Sequence, residues 1–300
     1  MLSGVIVLYK TKGMTSTDCV RDMRRVLQMK KVGHGGTLDP SVEGILPIAI
    51  GQATKIIDLM QTHDKTYIGE AILGFETDTE DLDGEIIKTQ DVEEPFSEEA
   101  IEEAMSKLTG EVEQLPPMYS SVKVKGRRLY DYARNNIPVE RPVRHIHVSK
   151  YVKIGQSTYD EANKQQRFKF EITCSKGTYV RTLIKQLGDI LGGPAVMSSL
   201  TRAKSAGFGL KDAVLLETLK ENPEKAVDYV VPLERFFEEQ PAYQLSDKEF
   251  EMVQNGAKLK FPIDVERLCL YHNRKIKAIY KKDVKHPPLY RPEMMLLQNS

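Results

Sequence analysis

Between Arg167 and Leu191 the chain changes its hydrophobic period once, and that change limits the folds open to it. Phe168, Phe170, Ile172 and Cys174 alternate with Arg167, Lys169, Glu171 and Thr173, the period-2 pattern of a strand with one buried face. Just beyond, Val180, Leu183, Ile184, Leu187 and Leu191 recur at helical spacing until Gly192, Gly193 and Pro194 stop the run. A strand feeding directly into an amphipathic helix predicts packed layers of both kinds, an α/β mixed (α+β) fold.

The rest of the chain agrees. Val5 to Leu8 reads as a strand, Gly13 breaks it, and Ser16 or Thr17 can cap a helix with Val20, Met23 and Leu27 inward and Arg21, Arg24 and Arg25 in water. Thr66 to Leu73 reads as a strand. Asp83-Gly84 signals a turn, and Ser97 to Leu108 gives a helix with Ile101, Met105 and Leu108 inward. Residues 116–142 interrupt this regularity with Pro-Pro, a Gly126 turn and three tyrosines, and read as an inserted arm. Pro232 to Pro241 has the composition of a boundary. Past it, Leu268 to Tyr271 and Ile276 to Tyr280 flank Asn273-Arg274 as a hairpin within a small β-rich module. The expected division is a larger unit over 1–236, with the arm at about 112–143, and a small module over 241–300.

Forty-three basic residues cancel 43 acidic ones, which taken alone argues against a polyanionic partner. The cancellation is only global. Leu115 to Lys150 holds eight Lys/Arg against two Asp/Glu, Tyr271 to Arg291 seven against one, while thirteen carboxylates and one lysine crowd Glu76 to Glu103. Segregated charge makes basic surfaces on a neutral protein, and these can hold a phosphate backbone by counterion release; solvated loops are the plainer reading of either run alone. With 40% apolar and 29% charged residues the chain is not disordered, and three scattered cysteines supply neither a disulfide framework nor a zinc ribbon. A start without a basic leader, and no run near the ~18 apolar residues of a membrane span, give the expectation of a cytoplasmic protein without membrane attachment.

Several standard sites fail on spacing. Gly33-His34-Gly35-Gly36 lacks the third glycine of a dinucleotide loop, where Leu38 stands, and Lys176-Gly177-Thr178 reverses the P-loop order. Thr79, Asp81, Asp83 and Gly84 mimic a calcium loop without an acid at its first or twelfth position, and His145 with His147 lack a third ligand, so no metal is expected. What remains is Gly33 to Pro47. Flexible glycines beside Asp39, locked ahead of Pro40, let backbone approach a ligand while aiming one carboxylate, although Asp39-Pro40 alone is an ordinary turn. Lys176 to Arg181 lies at the strand-to-helix junction, with Arg181 about 100° around the helix from Val180, off the buried stripe but near its edge. An arginine there can pair with a carboxylate across a cleft and favour its charged form; a surface arginine is the alternative. Tyr67 adds a ring at the start of a strand.

The segments GHGGTLDPSVEGILP, HDKTYIGEAILG with GFETDTEDLDG, PPMYSSVKVKGRRLYDYAR, CSKGTYVRTLIKQLGDILG and SLTRAKSAGFGL, in this order, resemble the TruB family of tRNA pseudouridine synthases. The likeness spans roughly Gly4 to Leu210. Lys10 to Ser16 departs from the family's K-P-x-G-x-x-S, and Val42-Glu43 replaces small residues. The last sixty residues resemble a PUA-type RNA-binding module in placement, β content and the Tyr290-Arg291-Pro292-Glu293 ending.

The resemblance implies a pseudouridine synthase domain with an antiparallel sheet and central cleft, followed by the PUA-like module. It implies isomerisation of uridine 55 in the tRNA T-loop with no cofactor; nothing in the sequence demands a dimer, so a monomer is the expectation. It makes Asp39 the essential carboxylate, as nucleophile or base, and Arg181 its ionic partner. Tyr67 would stack on the uracil and serve in proton removal at C5, Tyr179 and Leu200 would wall the base, and His34 would help displace the nucleotide. Lys123, Lys125, Arg127, Arg128 and Tyr130 would hold RNA. Two rivals use the same residues differently: a non-catalytic RNA-binding or tRNA-folding protein, which has no need of Asp39, and a glycosidase-like enzyme, which needs a second acid such as Glu43.

Overall fold

The computed structural model describes residues 2–298, so Met1 and the last two residues of the expected module lie outside the described residues. Its largest sheet runs, edge to edge, through Val214–Leu215, Gly4–Lys10, Glu43–Ile50, Ala195–Ser205, Lys65–Leu73, Gln165–Cys174, Arg144–Asp160 and Gly110–Gln114. Pairing is antiparallel except where Gly4–Lys10 meets Val214–Leu215 and where Glu43–Ile50 meets Ala195–Ser205. A second sheet of Ala242–Gln244, Arg267–His272, Lys275–Lys282 and Tyr290–Met295 forms the C-terminal β module. Its expected hairpin turns at Asn273 and Arg274, both at positive φ.

The two hydrophobic patterns have separate causes. Along Gln165–Cys174 only the Phe168, Phe170, Ile172, Cys174 face is buried, under the Glu98–Lys107 and Val180–Leu191 helices. Along Gly4–Lys10 the apolar run is continuous because both faces are covered. Ile6 and Leu8 join the core beneath the helices, whereas Val5 and Val7 meet Ile45, Ala49, Cys269, Ile276, Ile279 and Leu296. Each such side chain removed from water contributes roughly 1.5–3 kcal/mol, so the module sits on the main sheet through a shared apolar layer. The Pro232–Pro241 stretch takes part in it: Leu233–Phe236 is a short helix, and Leu233 and Phe237 are buried there.

Helix limits follow local chemistry. The first helix is Ser16–Val26, but its cap is Thr15 and not Ser16 or Thr17, because Thr15 Oγ1 accepts from Asp18 N at 3.0 Å while the Asp18 carboxylate accepts from Thr15 N at 3.1 Å. Ser97 caps Glu98–Lys107, and the helix that begins at Val180 closes at Gly192. At one point backbone approach is the controlling constraint. Gly44, φ 109°, faces Arg202 across the parallel pairing, and a Cβ there would lie 2.4 Å from the Arg202 carbonyl oxygen.

Candidate active site

Four segments singled out in the sequence converge on one cleft of about 610 Å³, within the ~300–1,000 Å³ common for ligand sites. Asp39 enters from a turn, Tyr67 from Lys65–Leu73, Leu200 from Ala195–Ser205, and Tyr179 and Arg181 from the start of Val180–Leu191.

The Asp39 turn is held from behind. Val42 N donates to Asp39 O at 3.1 Å and Gly13 N to Pro40 O at 2.9 Å. Lys10 is buried; its Nζ donates to Met14 O at 2.8 Å and Pro40 O at 3.3 Å. Ser16 Oγ accepts from Leu38 N at 2.9 Å. The segment Lys10–Ser16 therefore positions the turn that carries the carboxylate, leaving the Asp39 side chain 44% exposed to the cleft.

Arg181 differs from expectation in one respect: it is buried, 7% exposed, and not at the edge of the helix stripe. The reason is a second carboxylate. Nη1 lies 3.1 Å from Asp81 Oδ2, Nη2 donates to Tyr119 O at 2.6 Å, and Nη2 lies 3.5 Å from Asp39 Oδ2. Asp81 is itself buried and accepts from Thr79 Oγ1 at 2.6 Å and from Asp83 N at 3.1 Å. The buried acid and the buried guanidinium pair through Nη1, Nη2 also faces Asp39, and the buried Nε has no hydrogen-bond partner among the described residues. The loop that mimics a calcium site in sequence thus presents its central acid to an arginine. Asp81 was hidden among thirteen carboxylates, and only tertiary contact separates it from the others.

Tyr67 lines the cleft, its hydroxyl pushed up by burial and drawn back by the charge of Arg202. Lys65 is brought down to about 8 by burial first and by Arg202 next; its Nζ donates to Gln61 O and His63 O, each at 2.6 Å. Leu200 is buried against the cleft. Tyr179 is fixed by Gln114, whose Oε1 accepts from Tyr179 N at 2.8 Å and whose Nε2 donates to Tyr179 O at 3.1 Å. His34 does not line the cleft. Its Nδ1 accepts from Gly36 N at 3.3 Å, and burial, then Arg202, lowers its affinity for a proton. Glu43 does not line the cleft either; its Oε1 accepts from Thr201 Oγ1 at 3.2 Å.

The arm stands at the mouth. Lys123–Val124 and Arg127–Arg128 form a hairpin, tightened by positive φ at Lys125 and Gly126, that leads into Leu129–Arg134. Lys123, Lys125, Arg127, Arg128 and Tyr130 are all exposed. Arg128 and Tyr130 reach the cleft, Arg128 pairing with Asp131 at 3.2 Å, while Lys123, Lys125 and Arg127 make no ion pair among the described residues.

Missed by sequence reasoning were Asp81, Arg202, Lys10 and Gln114. For two of them a signal existed. Lys10 shares the inward parity of Ile6 and Leu8, and Arg202 that of Leu200; a cation at an inward strand position must find acceptors inside the protein, which sets it apart from the surface lysines and arginines.

Residues 24–180 match the family described as TruB family pseudouridylate synthase, N-terminal domain. A tRNA pseudouridine synthase B of Lactobacillus gasseri is 49% identical over 299 residues, covering 100% of both chains. One from Latilactobacillus sakei is 48% identical over 301 residues, 99% of each. Among solved structures, a chain of a Cbf5-Nop10-Gar1 complex superposes with TM-score 0.69 at 24% identity, over 99% of this chain and 81% of that one. A chain of an H/ACA RNP bound to a substrate RNA containing 2'-deoxyuridine gives 0.71 at 21%, over 99% and 86%. At those identities the structural likeness speaks for the fold.

Proposed function

The chain belongs to the TruB family of pseudouridylate synthases, and from that premise we propose that it converts uridine 55 in the T-loop of tRNA to pseudouridine. The observation that carries the reading is Asp39. Its carboxylate is open to a nucleotide-sized cleft and 3.5 Å from a buried arginine, with Tyr67 and Leu200 on the walls and a basic hairpin at the mouth.

The reaction balances within the nucleoside. The N1–C1′ bond breaks, the uracil turns, a C5–C1′ bond forms, C5 loses a proton and N1 gains one, so no redox or energy cofactor is drawn in. The base must first leave its stack, at a cost of a few kcal/mol that contacts elsewhere have to meet. In this proposal Lys123, Lys125 and Arg127 meet it by attracting phosphates of the T-arm, and Tyr130 by stacking. His34, behind the Gly36 turn, is assigned to the displaced loop and not to the flipped base. Asp39 acts at the sugar as nucleophile or base, oriented by Arg181; Tyr67 stacks on the uracil and takes part in proton removal at C5; Tyr179 and Leu200 close the walls. The unit over 1–236 is assigned to catalysis and that over 241–300 to RNA docking. The enzyme is read as a monomer in the cytoplasm, where three buried free thiols stay reduced.

The test is incubation of the purified protein, and of Asp39→Asn, with unmodified tRNA transcript, followed by site-resolved pseudouridine mapping. Wild type is expected to modify position 55, while Asp39→Asn binds the transcript and leaves it unchanged. Binding by both proteins with pseudouridine from neither overturns the proposal in favour of a non-catalytic RNA-binding protein.

A further inference from the structure

Arg202 is 1% exposed and lines the cleft, yet among the described residues it has no carboxylate partner within 4 Å. A buried guanidinium without a counter-ion is costly unless its donors are all used. They are used on the site itself. Nε donates to Ile45 O at 2.7 Å, Nη1 to Thr37 O at 3.3 Å and Nη2 to Gly36 O at 3.2 Å. Gly36 and Thr37 lie three and two residues before Asp39. The same strand carries Leu200, and the pairing Arg202↔Tyr67 places the two residues side by side across the sheet. One rigid planar fork therefore holds the turn that carries Asp39 from the strand position beside Tyr67.

We infer that Arg202 is a positioning residue for the isomerisation, holding the Asp39 turn in place against the strand that carries Tyr67 through one guanidinium. The inference rests on the proposed activity and deepens it. Arginine is suited to the task because its donors point in fixed directions, whereas a lysine in the same place keeps the charge and loses the fork. The strand supplies the position: an arginine at the parity of Leu200 has no route to solvent, so its donors must be spent on the backbone around the cleft.

The test compares Arg202→Met and Arg202→Lys with wild type on the full chain. It measures tRNA binding, kcat and KM for pseudouridine formation, and folding by circular dichroism. Arg202→Met is expected to keep transcript affinity within about twofold and to lower kcat with KM little changed. A loss on the order of 10²-fold is what a displaced reacting group entails. Arg202→Lys is expected to fall between wild type and Arg202→Met. An unchanged kcat or a change confined to KM overturns the inference. If Arg202→Met does not fold, Arg202→Lys carries the test under the same criteria. A wild-type protein that forms no pseudouridine sinks the parent reading instead, and that result is visible before any variant is made.

Discussion

Arg181→Met separates what the arginine does for folding from what it does for chemistry. The guanidinium and the Asp81 carboxylate are 7% and 6% exposed and 3.1 Å apart, and removing one member of a buried pair costs ~3–5 kcal/mol through the charge left behind. Thr79 Oγ1 and Asp83 N remain on Asp81, which favours the low end. Loss of the donor to Tyr119 O adds about 1 kcal/mol. The contact to Asp39 adds less than that, since this carboxylate is 44% exposed and screened by water. The expected total is about 4 kcal/mol in urea unfolding. Adding Asp81→Asn removes the stranded charge and should bring stability back to within roughly 1–2 kcal/mol of wild type. Activity should not follow: at saturating tRNA both variants are expected to form pseudouridine at least ~100-fold more slowly, the scale for losing a preorganised electrostatic group. A single variant within about 1 kcal/mol of wild type would refute the reasoning about the buried pair. A double variant that regains activity with stability would reduce Arg181 to a folding role.

Three further outcomes follow from other parts of the molecule. Replacing Lys123, Lys125 and Arg127 by alanine should weaken tRNA binding and lower the slope of log affinity against log salt by about 2, with single-turnover rate at saturating tRNA preserved; an unchanged slope means that the hairpin does not meet phosphate. Gly44→Ala should destabilise by several kcal/mol in thermal unfolding, because its Cβ would overlap the Arg202 backbone at a φ that disfavours side chains; a wild-type melting curve would contradict the parallel pairing. Glu98 is held down to about 2 by its bonds to Lys153 and Ser157. A carboxyl depressed in the folded state contributes stability above its unfolded value near 4.5, and that contribution fades as pH falls from there toward 2. Glu98→Gln should therefore flatten this part of the acid-unfolding curve, and identical curves for the two proteins would count against the pairing.

How much of this was legible in the chain depends on whether the information was local. The strand Gln165–Cys174, the helix Val180–Leu191 and the Asn273-Arg274 hairpin stand where period and turn residues put them, because each is decided by neighbours within a few positions. The helix cap was displaced by one residue, since Thr15 competes with Ser16 and Thr17 and the reciprocal bond from Asp18 decides among them. Asp39, Tyr67, Tyr179, Arg181 and Leu200 were singled out by motif and do share a cleft. His34 was singled out too and stands outside it, on the far side of the Gly36 turn.

The sequence by itself determined the alternation of strands and helices, the segregation of charge into basic and acidic stretches, and the residue types available for chemistry, since these depend on side-chain period and composition alone. Only the tertiary structure decided which of the many acids meets Arg181, and that Lys10 and Arg202 serve carbonyls around the Asp39 turn. It also decided that Val5 and Val7 are covered by the C-terminal module. The physical reason is common to all three. A buried charge or apolar face is stable only with a partner, and the partner comes from a strand or loop distant in the chain, chosen by the register of the whole sheet.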